Sequence, residues 1–532
     1  MRVLIVGGTG VFGARLAELL IRDGHDLTLA ARNFRRAQRL ASKLGCAALR
    51  LDRQGDLTGI AGFDVVVDAA GPFSTEGKDP YRLARAALKA GQHYLDLSDN
   101  AAFCAGIRSL DAEARAAGRA AISGLSTVPA LSSAAVRALS AGARPEVIES
   151  AILPGNRSPR GLAVMRSILM QAGRPMPVWR GGAWETVSGW SQPKSYDLPQ
   201  GLQRQAWQVE VPDQRLFPDH FGADSVAFRA GLELAVMRYG LAAFAYLRRW
   251  VPVPINGFVL GIFKLGADLL APFGSGRGGM SVMVITNGER RFWRMLAERG
   301  DGPYVPAIAI RALLRRGEFP VGAQPALEVI SLAEAEGAMG DLSVTTEVVS
   351  EPVQAIFPRV LAASFDDLPE VVRATHQTSD LSRWQGQASV RRGRSLWSRF
   401  LGWVFGFPAQ AAHIDVEVVK TVGGDSEHWQ RRFGGRLFHS VLTRTPAGMT
   451  ERFGPFTFLL GLRVSEGALH FPVRSARLGP LPLPRWLLPV SIAREHERDG
   501  RFCFDVKLLT PLTGDLLVHY QGQLAPAERA KT

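Results

Sequence analysis

Cysteine is scarce in this chain of 532 residues: Cys46, Cys104 and Cys503 are the only three, they lie far apart, and their number is odd. This pattern excludes a disulfide framework and any CxxC redox or metal motif, so a reducing cytoplasm is the expected compartment. Histidines such as His428 and His519 stand singly, without HxH or HExxH spacing, and no metal site is expected. The chain also has no GxSxG nucleophile elbow.

Long hydrophobic runs are missing as well. No uninterrupted apolar stretch reaches the roughly 18 to 20 residues that a spanning helix needs, and no basic leader precedes the first predicted strand, so we expect no signal peptide. The two longest apolar segments, 232–247 and 251–273, are interrupted by charges and prolines. They predict either helices buried at a dimer or domain interface, or an amphipathic hairpin among lipid headgroups, that is, a peripheral membrane site. The basic-aromatic segment 391–405 predicts either a second interfacial helix or a cap over the domain that follows it.

Negative charge is in short supply. The 63 lysines and arginines outnumber the 49 aspartates and glutamates, which gives a formal net charge of +14. Such a balance favours anionic partners: nucleotide cofactors, an acidic membrane surface or nucleic acid. Because the chain has no dense Lys/Arg tract, no aromatic RNA-binding signature and no zinc-finger spacing, we expect no nucleic-acid partner.

The most informative stretch that is present is VLIVGGTGVFG, residues 3–13. A short apolar run breaks into glycines and then opens into an amphipathic segment, which is the strand–turn–helix order of a dinucleotide fingerprint. Gly7 permits a sharp turn, Gly10 lets the backbone approach a pyrophosphate, and Gly13 lets the new helix pack on its strand. The helix N-terminus offers free N–H groups to the phosphates. The predicted cofactor-binding residues here are Gly7, Gly8, Thr9, Gly10, Val11, Phe12 and Gly13.

The choice of cofactor is predicted from the end of the second strand. NAD-binding domains place an acidic residue about 20 positions after the glycines, where it bonds the ribose 2′-hydroxyl. This chain has Arg32 there, followed by Asn33 and Arg35, with no nearby carboxylate. A guanidinium matches a 2′-phosphate, which favours NADP. The alternative is that these arginines only solvate the start of the helix predicted over 34–44.

Three later positions complete the predicted site. Asp52 follows the third strand, where a carboxylate either meets the adenine amino group or simply belongs to a loop. Ala70, Gly71 and Pro72 form a small-residue turn, on which a nicotinamide ribose can lie, after a buried apolar strand. Asp96 ends the fifth strand and is the catalytic candidate, as a general acid or base; the alternative is that it bonds to loop backbone.

Together, GGTGVFG, AARN, DAAGPF and YLDLSD, in this order and spacing, resemble the saccharopine dehydrogenase-like NADP-binding family. Gly300–Pro303 and the predicted helix 307–315 resemble the segment with which chains of that family return to the nucleotide domain. The resemblance implies a Rossmann domain, NADP, and a substrate or dimerisation domain inserted before the closing helix; it does not imply saccharopine as the substrate. One departure is GLSTVP at 124–129, where the saccharopine-forming enzymes have a turn like GLDPG, and this argues against an amino-acid substrate.

The predicted architecture is α/β with three domains. Strands that alternate with helices predict a doubly wound parallel sheet, a Rossmann NADP-binding domain, over 1–145. An α+β substrate or dimerisation domain, with an antiparallel sheet and the closing helix, is predicted over 146–345. Nine short strands predict a barrel-like antiparallel domain over 350–525, and this part resembles a domain of unknown function often fused behind such nucleotide domains.

Two functions from different classes follow. The first is an NADP-dependent oxidoreductase, with a homodimer as one predicted assembly. It passes hydride between the nicotinamide and a small-molecule substrate: a carbonyl, an imine or a lipid-like molecule. The second is a non-catalytic NADP-binding module whose C-terminal domain carries a lipid or other apolar ligand at a membrane surface. Arg431, Glu451 and Glu495 lie in the predicted C-terminal strands, where they face either a cavity or, as is more common, solvent.

Overall fold

The computed structural model describes residues 1–73, 75, 79–159, 161–353, 355–404 and 406–530, so Phe405 of the basic-aromatic segment lies outside the described residues. The chain divides into two compact units. Unit one comprises Met1–Trp179 and Trp184–Glu351, while unit two begins at Pro352 and includes Arg180–Ala183. The three-domain boundaries remain a prediction, since both the Rossmann and the middle regions fall within unit one.

The first sheet of unit one consists of apolar strands that are buried on both faces. Val3, Leu4 and Ile5 are fully buried, as expected of a parallel sheet between layers of helices. Its strands are β1 (Arg2–Val6), β2 (Asp26–Ala31), β3 (Ala47–Arg50), β4 (Val65–Asp68), β5 (His93–Asp96), β6 (Ala120–Ser123) and β15 (Gly322–Pro325). They pair in parallel in the order β15-β6-β5-β4-β1-β2-β3, which confirms the predicted Rossmann-type sheet.

The helices around this sheet follow local capping signals. The helix over 34–44 has its predicted bounds because the Asn33 side chain accepts a hydrogen bond from the Arg36 amide and Gly45 ends the helix at φ 72°. The alanine-rich sequence of 100–117 predicts a single helix, and this prediction is wrong: a 3₁₀ turn at Ile107–Leu110 divides it. In such a turn the i and i+3 side chains align, and both of its end residues reach the core. The helices are α1 (Val11–Arg22), α2 (Phe34–Leu44), α3 (Arg82–Lys89), α4 (Ala101–Gly106), α5 (Asp111–Ala116), α6 (Ser132–Ser140), α11 (Ile308–Arg316) and α12 (Leu332–Ala338).

The second sheet of unit one is mixed. Its strands are β7 (Val147–Leu153), β8 (Pro175–Arg180), β9 (Ala183–Ser188), β10 (Lys194–Leu198), β11 (Leu202–Gln208), β12 (Ser225–Gly231), β13 (Gly278–Thr286), β14 (Glu289–Ala297) and β16 (Val344–Pro352). The expected fully antiparallel sheet is corrected by β7 and β12, which pair in parallel. The residue composition of 178–186 predicts one strand, but the structure has two there, because Gly181 and Gly182 both have positive φ and turn the chain between β8 and β9.

Four helices accompany this mixed sheet: α7 (Leu162–Gln171), α8 (Pro212–Phe221), α9 (Ala235–Trp250) and α10 (Gly257–Leu270). The last two occupy the apolar segments singled out in the sequence, and the prolines fall in the linker between them. Among the described residues, no helix is both long enough and apolar enough to cross a membrane.

In its described residues, unit two is an antiparallel sheet of 13 strands with three α-helices, which confirms the predicted β-rich fold. The helices are α13 (Ile356–Leu361), α14 (Glu370–His376) and α15 (Leu396–Val404). The strands are β17 (Leu381–Arg392), β18 (Ala411–Gly423), β19 (Ser426–Phe433), β20 (Arg436–Thr445), β21 (Gly448–Phe453), β22 (Phe456–Leu460), β23 (Arg463–Ser465), β24 (Ala468–His470), β25 (Val473–Leu478), β26 (Leu481–Pro482), β27 (Val490–Arg498), β28 (Arg501–Leu509) and β29 (Leu516–Pro526).

A bent hairpin joins the two ends of this sheet. The residue pattern predicts single strands over 457–464 and 468–476, two of the nine, but each breaks in two. The first gives β22 and β23, and the second gives β24 and β25. The base of the hairpin, β22 with β25, lies at one end of the strand order, whereas its tip, β23 with β24, pairs with β27 at the other end. The sheet therefore closes on itself as a barrel, because one hairpin contributes to both of its ends.

Candidate functional site

The glycine loop between β1 and α1 is held tightly against the turn that follows β4. Gly7 has φ 78°, and a Cβ added to it would lie 2.7 Å from the Ala70 Cα. A Cβ on Gly13 would lie 2.6 Å from the Gly7 carbonyl oxygen. The Gly10 amide donates to the same oxygen at 2.8 Å. Only glycine fits at Gly7 and Gly13, so the loop presents backbone where side chains would otherwise stand.

This arrangement follows from the register of neighbouring strands. Val6 at the end of β1 pairs with Asp68 at the end of β4, and the Ala69 amide donates to the Val6 carbonyl at 2.8 Å. The carboxyl ends of parallel strands share one edge of the sheet, which is where such folds bind nucleotides. The structure thus brings three of the predicted loop residues to the start of the predicted turn: Gly7 lies against Ala70, and Gly10 and Gly13 lie near Ala69.

Helix α1 starts at this loop with its N-terminus uncovered. Gly10 is its N-cap residue, no side chain caps the first turn, and no acidic residue lies in that turn. Gly10 itself is exposed, while Val11 and Phe12 are half-buried. The free N–H groups and the positive end of the helix dipole are therefore available to an anion such as a pyrophosphate.

Beyond β2, basic side chains surround a shallow depression, and its lining residues are Arg32, Asn33, Phe34, Arg35 and Arg50. No ion pair joins Arg32 or Arg35 to another described residue. Asn33, predicted to contact the cofactor, uses its Oδ1 to accept a hydrogen bond from the Arg36 amide at 3.1 Å. Arg50 was missed by the sequence reasoning; its position at the end of β3 was the available signal. The depression suits a phosphate on a ribose.

Asp52 and its neighbour Arg53 make different contacts: Asp52 bonds within its own loop, and Arg53 bonds to the turn after β4. Asp52 Oδ1 accepts a hydrogen bond from the Gln54 amide at 3.1 Å, so its described contact is within its own loop. Arg53, which the sequence reasoning missed, donates from Nη2 to the Pro72 carbonyl at 2.9 Å and from Nη1 to Asp68 Oδ2 at 3.3 Å. Burial raises the pKa of Asp68, and Arg53 opposes that shift. Arg53 thereby fixes the turn beside the glycine loop.

Asp96, the catalytic candidate, is completely buried. Its Oδ1 accepts three hydrogen bonds: from the Ser98 amide at 2.9 Å, the Gly124 amide at 2.8 Å and the Ser123 hydroxyl at 2.9 Å. Burial raises the pKa of Asp96 to about 7, although these donors oppose the shift. The described contacts are those of a carboxylate that ties together the chain ends after β5 and β6, and its catalytic role stays a prediction.

A second polar cluster lies inside the barrel of unit two. The alternation along β19 that buries Trp429 and Phe433 also turns Arg431 inward. The Arg431 guanidinium lies 4.6 Å from the centre of the Trp429 ring, and it donates to Ser440 Oγ at 2.7 Å and to Glu451 Oε1 at 3.2 Å. Arg431 and Glu451 therefore face the interior, rather than the solvent side that is more usual for charged residues in a sheet.

The same interior holds a histidine–carboxylate pair and a buried lysine. His376 Nε2 and Glu495 Oε2 lie 2.5 Å apart. Lys420 Nζ donates to the Thr375 carbonyl at 2.6 Å and lies 4.0 Å from the centre of the Trp429 ring. Burial lowers the pKa of His376 to about 4 and that of Lys420 to about 8. A ligand inside this barrel would thus meet charged groups as well as aromatic rings.

The comparisons with known proteins agree with this geometry. Residues 3–122 match the family described as the saccharopine dehydrogenase NADP binding domain, and residues 368–524 match a domain of unknown function, DUF4166. The first match confirms NADP as the cofactor, and it supports an NADP-dependent oxidoreductase as the class of function. A search of curated proteins gave no match.

Among solved structures, the chain is similar to apo saccharopine dehydrogenase (L-Glu forming) from Saccharomyces cerevisiae, with 14% identity, a TM-score of 0.45, and coverage of 65% of this chain and 99% of that one. It is also similar to BdcA from E. coli, with 22% identity, a TM-score of 0.19, and coverage of 23% and 82%. From the matched segments, the chain joins a saccharopine dehydrogenase NADP binding domain at its N-terminus to a DUF4166 domain at its C-terminus.

Proposed function

We propose that the protein is an NADP-dependent oxidoreductase that passes hydride between the nicotinamide and a carbonyl, imine or lipid-like substrate. The observation that carries the proposal is the glycine loop: at Gly7 and Gly13 a Cβ would strike neighbouring backbone, and beside them the N-terminus of α1 is uncovered. A pyrophosphate fits such a surface of backbone amides. When bound, NADP supplies the hydride donor or acceptor.

The chain's own residues would then bind and orient the cofactor. Gly7 to Gly13 hold the pyrophosphate, Arg32 and Arg35 bind the 2′-phosphate, and Asp52 meets the adenine amino group. The turn Ala70–Pro72, fixed by Arg53, supports the nicotinamide ribose. Asn33 acts indirectly, because it caps α2 and so positions the arginines on either side of it.

The substrate class is proposed from the segment after β6. Leu125 and Val128 are buried there, and the segment 124–129 contains no acidic residue. A site for an α-amino acid needs a carboxylate or similar acceptor for the ammonium group. The apolar composition favours a ketone, an imine or a lipid-like carbonyl instead, and the basic charge of the chain favours an acidic membrane surface as the place where such a substrate is met.

Turnover separates this proposal from its alternative, a non-catalytic NADP-binding module whose barrel carries a ligand. The full chain should bind NADPH more tightly than NADH and consume NADPH with at least one member of a panel of ketones, imines and long-chain enoyl or keto compounds. Tight NADPH binding without consumption, together with a copurifying small molecule in native mass spectrometry, would favour the alternative. Because charged groups occupy the barrel interior, a carried ligand is expected to have a polar head.

A further inference from the structure

Helix α10 leaves an apolar stripe uncovered. Four of its residues recur at i, i+4, i+7 and i+11, so they share one face, and each is more than half exposed: Phe258, Ile262, Leu265 and Leu269. The opposite face, with Leu260 and Phe263, packs against the core of unit one. The helix is therefore apolar on both faces, although only one of them is covered.

Helix α9 carries a second set of exposed apolar residues. Val236, Tyr239, Tyr246 and Trp250 are each more than half exposed. The two helices touch through Phe244 and Phe263, whose ring centres are 4.9 Å apart. Single exposed apolar residues are ordinary, but runs of them on two helices in contact indicate an interaction surface. We call the exposed residues of α9 and α10 together the apolar face.

Bulky aromatic residues stand at the ends of the helices. Trp250 ends α9, Phe258 lies in the first turn of α10, and Phe273 follows α10; each is 76% exposed. Aromatic side chains at such positions are typical of helices that lie in the headgroup region of a bilayer, where the ring enters the boundary between headgroups and acyl chains.

The charge around the apolar face is mainly positive. Segments 162–174 and 234–273, which include α7, α9 and α10, contain six basic residues and one acidic residue, a net charge of +5. Arg248 is one of the six, but it is buried and donates to the Ala172 carbonyl at 2.8 Å, so it does not belong to the rim. Helix α7 packs against α10, and its Arg166 is exposed. The acidic residue, Asp268, is paired with Lys264 at 2.6 Å. The rim is thus complementary to an anionic surface.

From these observations we infer that the apolar face docks on an anionic lipid bilayer and lies in its interfacial layer. Pairing of two copies through the same face would bury the apolar stripes, but it would also bring two surfaces with an excess of basic residues together. A bilayer that contains acidic lipids offers both an apolar layer and negative charge, so it fits both observations. This inference deepens the membrane part of the proposed function by naming the surface that docks, and it does not depend on NADPH turnover.

The test measures co-sedimentation of the full chain with phosphatidylcholine vesicles. The assay condition is vesicles with or without 30% phosphatidylglycerol, at about 0.1 M salt. We expect binding to the acidic vesicles, and weakening by at least about tenfold in Phe258→Glu/Leu265→Glu, because two charges would enter the apolar layer. Val348→Glu is the matched control, since Val348 is equally exposed on β16, away from these helices in sequence, and it should bind like the parent chain.

Three results would overturn the inference: no binding to acidic vesicles at low salt, equal binding by the double variant, or equal loss in Val348→Glu. A dimer in sedimentation equilibrium that Phe258→Glu/Leu265→Glu converts to a monomer, without vesicle binding, would identify the face as a self-association surface and would also overturn it. NADPH affinity, measured in each variant, reports whether unit one stays folded. Vesicle binding without NADPH turnover would leave this inference standing while the oxidoreductase proposal failed.

Discussion

Replacing Arg32 by aspartate should shift the cofactor preference from NADPH towards NADH. Arg32 lines the depression beyond β2 and has no ion pair with another described residue, so its guanidinium is free to bind a phosphate. A charge-assisted hydrogen bond contributes about 1.5 to 3 kcal/mol, and solvent screening at this open site places the effect near the lower end. We therefore expect a loss of at least about 1.4 kcal/mol, or one decade, in NADPH affinity relative to NADH.

Fluorescence titration of NADPH and NADH, at two salt concentrations, measures this shift. Arg36→Asp is the matched control, because it makes the same charge change at an exposed position four residues later, outside the lining of the depression. The parent preference should decrease as salt rises, since the contact is electrostatic. An unchanged preference in Arg32→Asp, or an equal shift in Arg36→Asp, would show that net charge rather than this site selects the cofactor.

Three further predictions concern the nucleotide-binding half. Gly13→Ala should lower NADPH affinity by at least about tenfold in the same titration, because its Cβ would stand 2.6 Å from the Gly7 oxygen. An affinity like that of the parent chain would contradict the assignment of the glycine loop to the pyrophosphate. Asp23→Asn should lower the free energy of unfolding in urea by about 1.5 to 3 kcal/mol, since Arg311, only 1% exposed on its side chain, loses the Asp23 carboxylate but keeps that of Asp341. Burial alone would raise the pKa of Asp23, but hydrogen bonds from Arg311 and a neighbouring arginine hold it well below its ordinary value. The stability from this pair should therefore be complete above about pH 4 and fall as the pH is lowered further. The pH dependence expected from Asp96 has the opposite sign, because burial raises its pKa to about 7. Its contribution to the free energy of unfolding is largest below about pH 4 and is lost as the pH rises to 7. Asp96→Asn should remove this decrease from stabilities measured by urea unfolding.

Local signals explain why the first sheet and its loops could be predicted closely. Helix α2 has a side-chain cap at Asn33 and a left-handed glycine at Gly45, both visible as residue types in the sequence. Strand β15 could not be predicted in this way, because Gly322–Pro325 contains a glycine and a proline and is a strand only through its pairing with β6. The role of Arg53 could not be predicted for the same reason, because its partner carbonyl at Pro72 is 19 residues away in the chain.

The barrel shows what alternation alone leaves open. A period of two separates the faces of β19 but does not say which face is inside. Closure of the sheet decides which face lies inside. Closure depends on the bend near Gly461 in the hairpin, which divides two predicted strands and was not predicted from the sequence. The charges of Arg431 and Glu451 then fall in the interior, against their general preference for solvent.

The position of β15 has a consequence for the order in which the chain becomes structured during synthesis. The edge of β6 is covered only by residues 322–325, and the buried Arg311 side chain clamps the end of α1 through Asp23. A nascent polypeptide of 145 residues would contain every glycine of the cofactor loop. It would nevertheless leave the edge of β6 unpaired and Asp23 without its partners Arg311 and Arg315. The sheet of the nucleotide-binding half is therefore completed only after the ribosome has passed the middle region, when residues 322–325 become available to pair with β6.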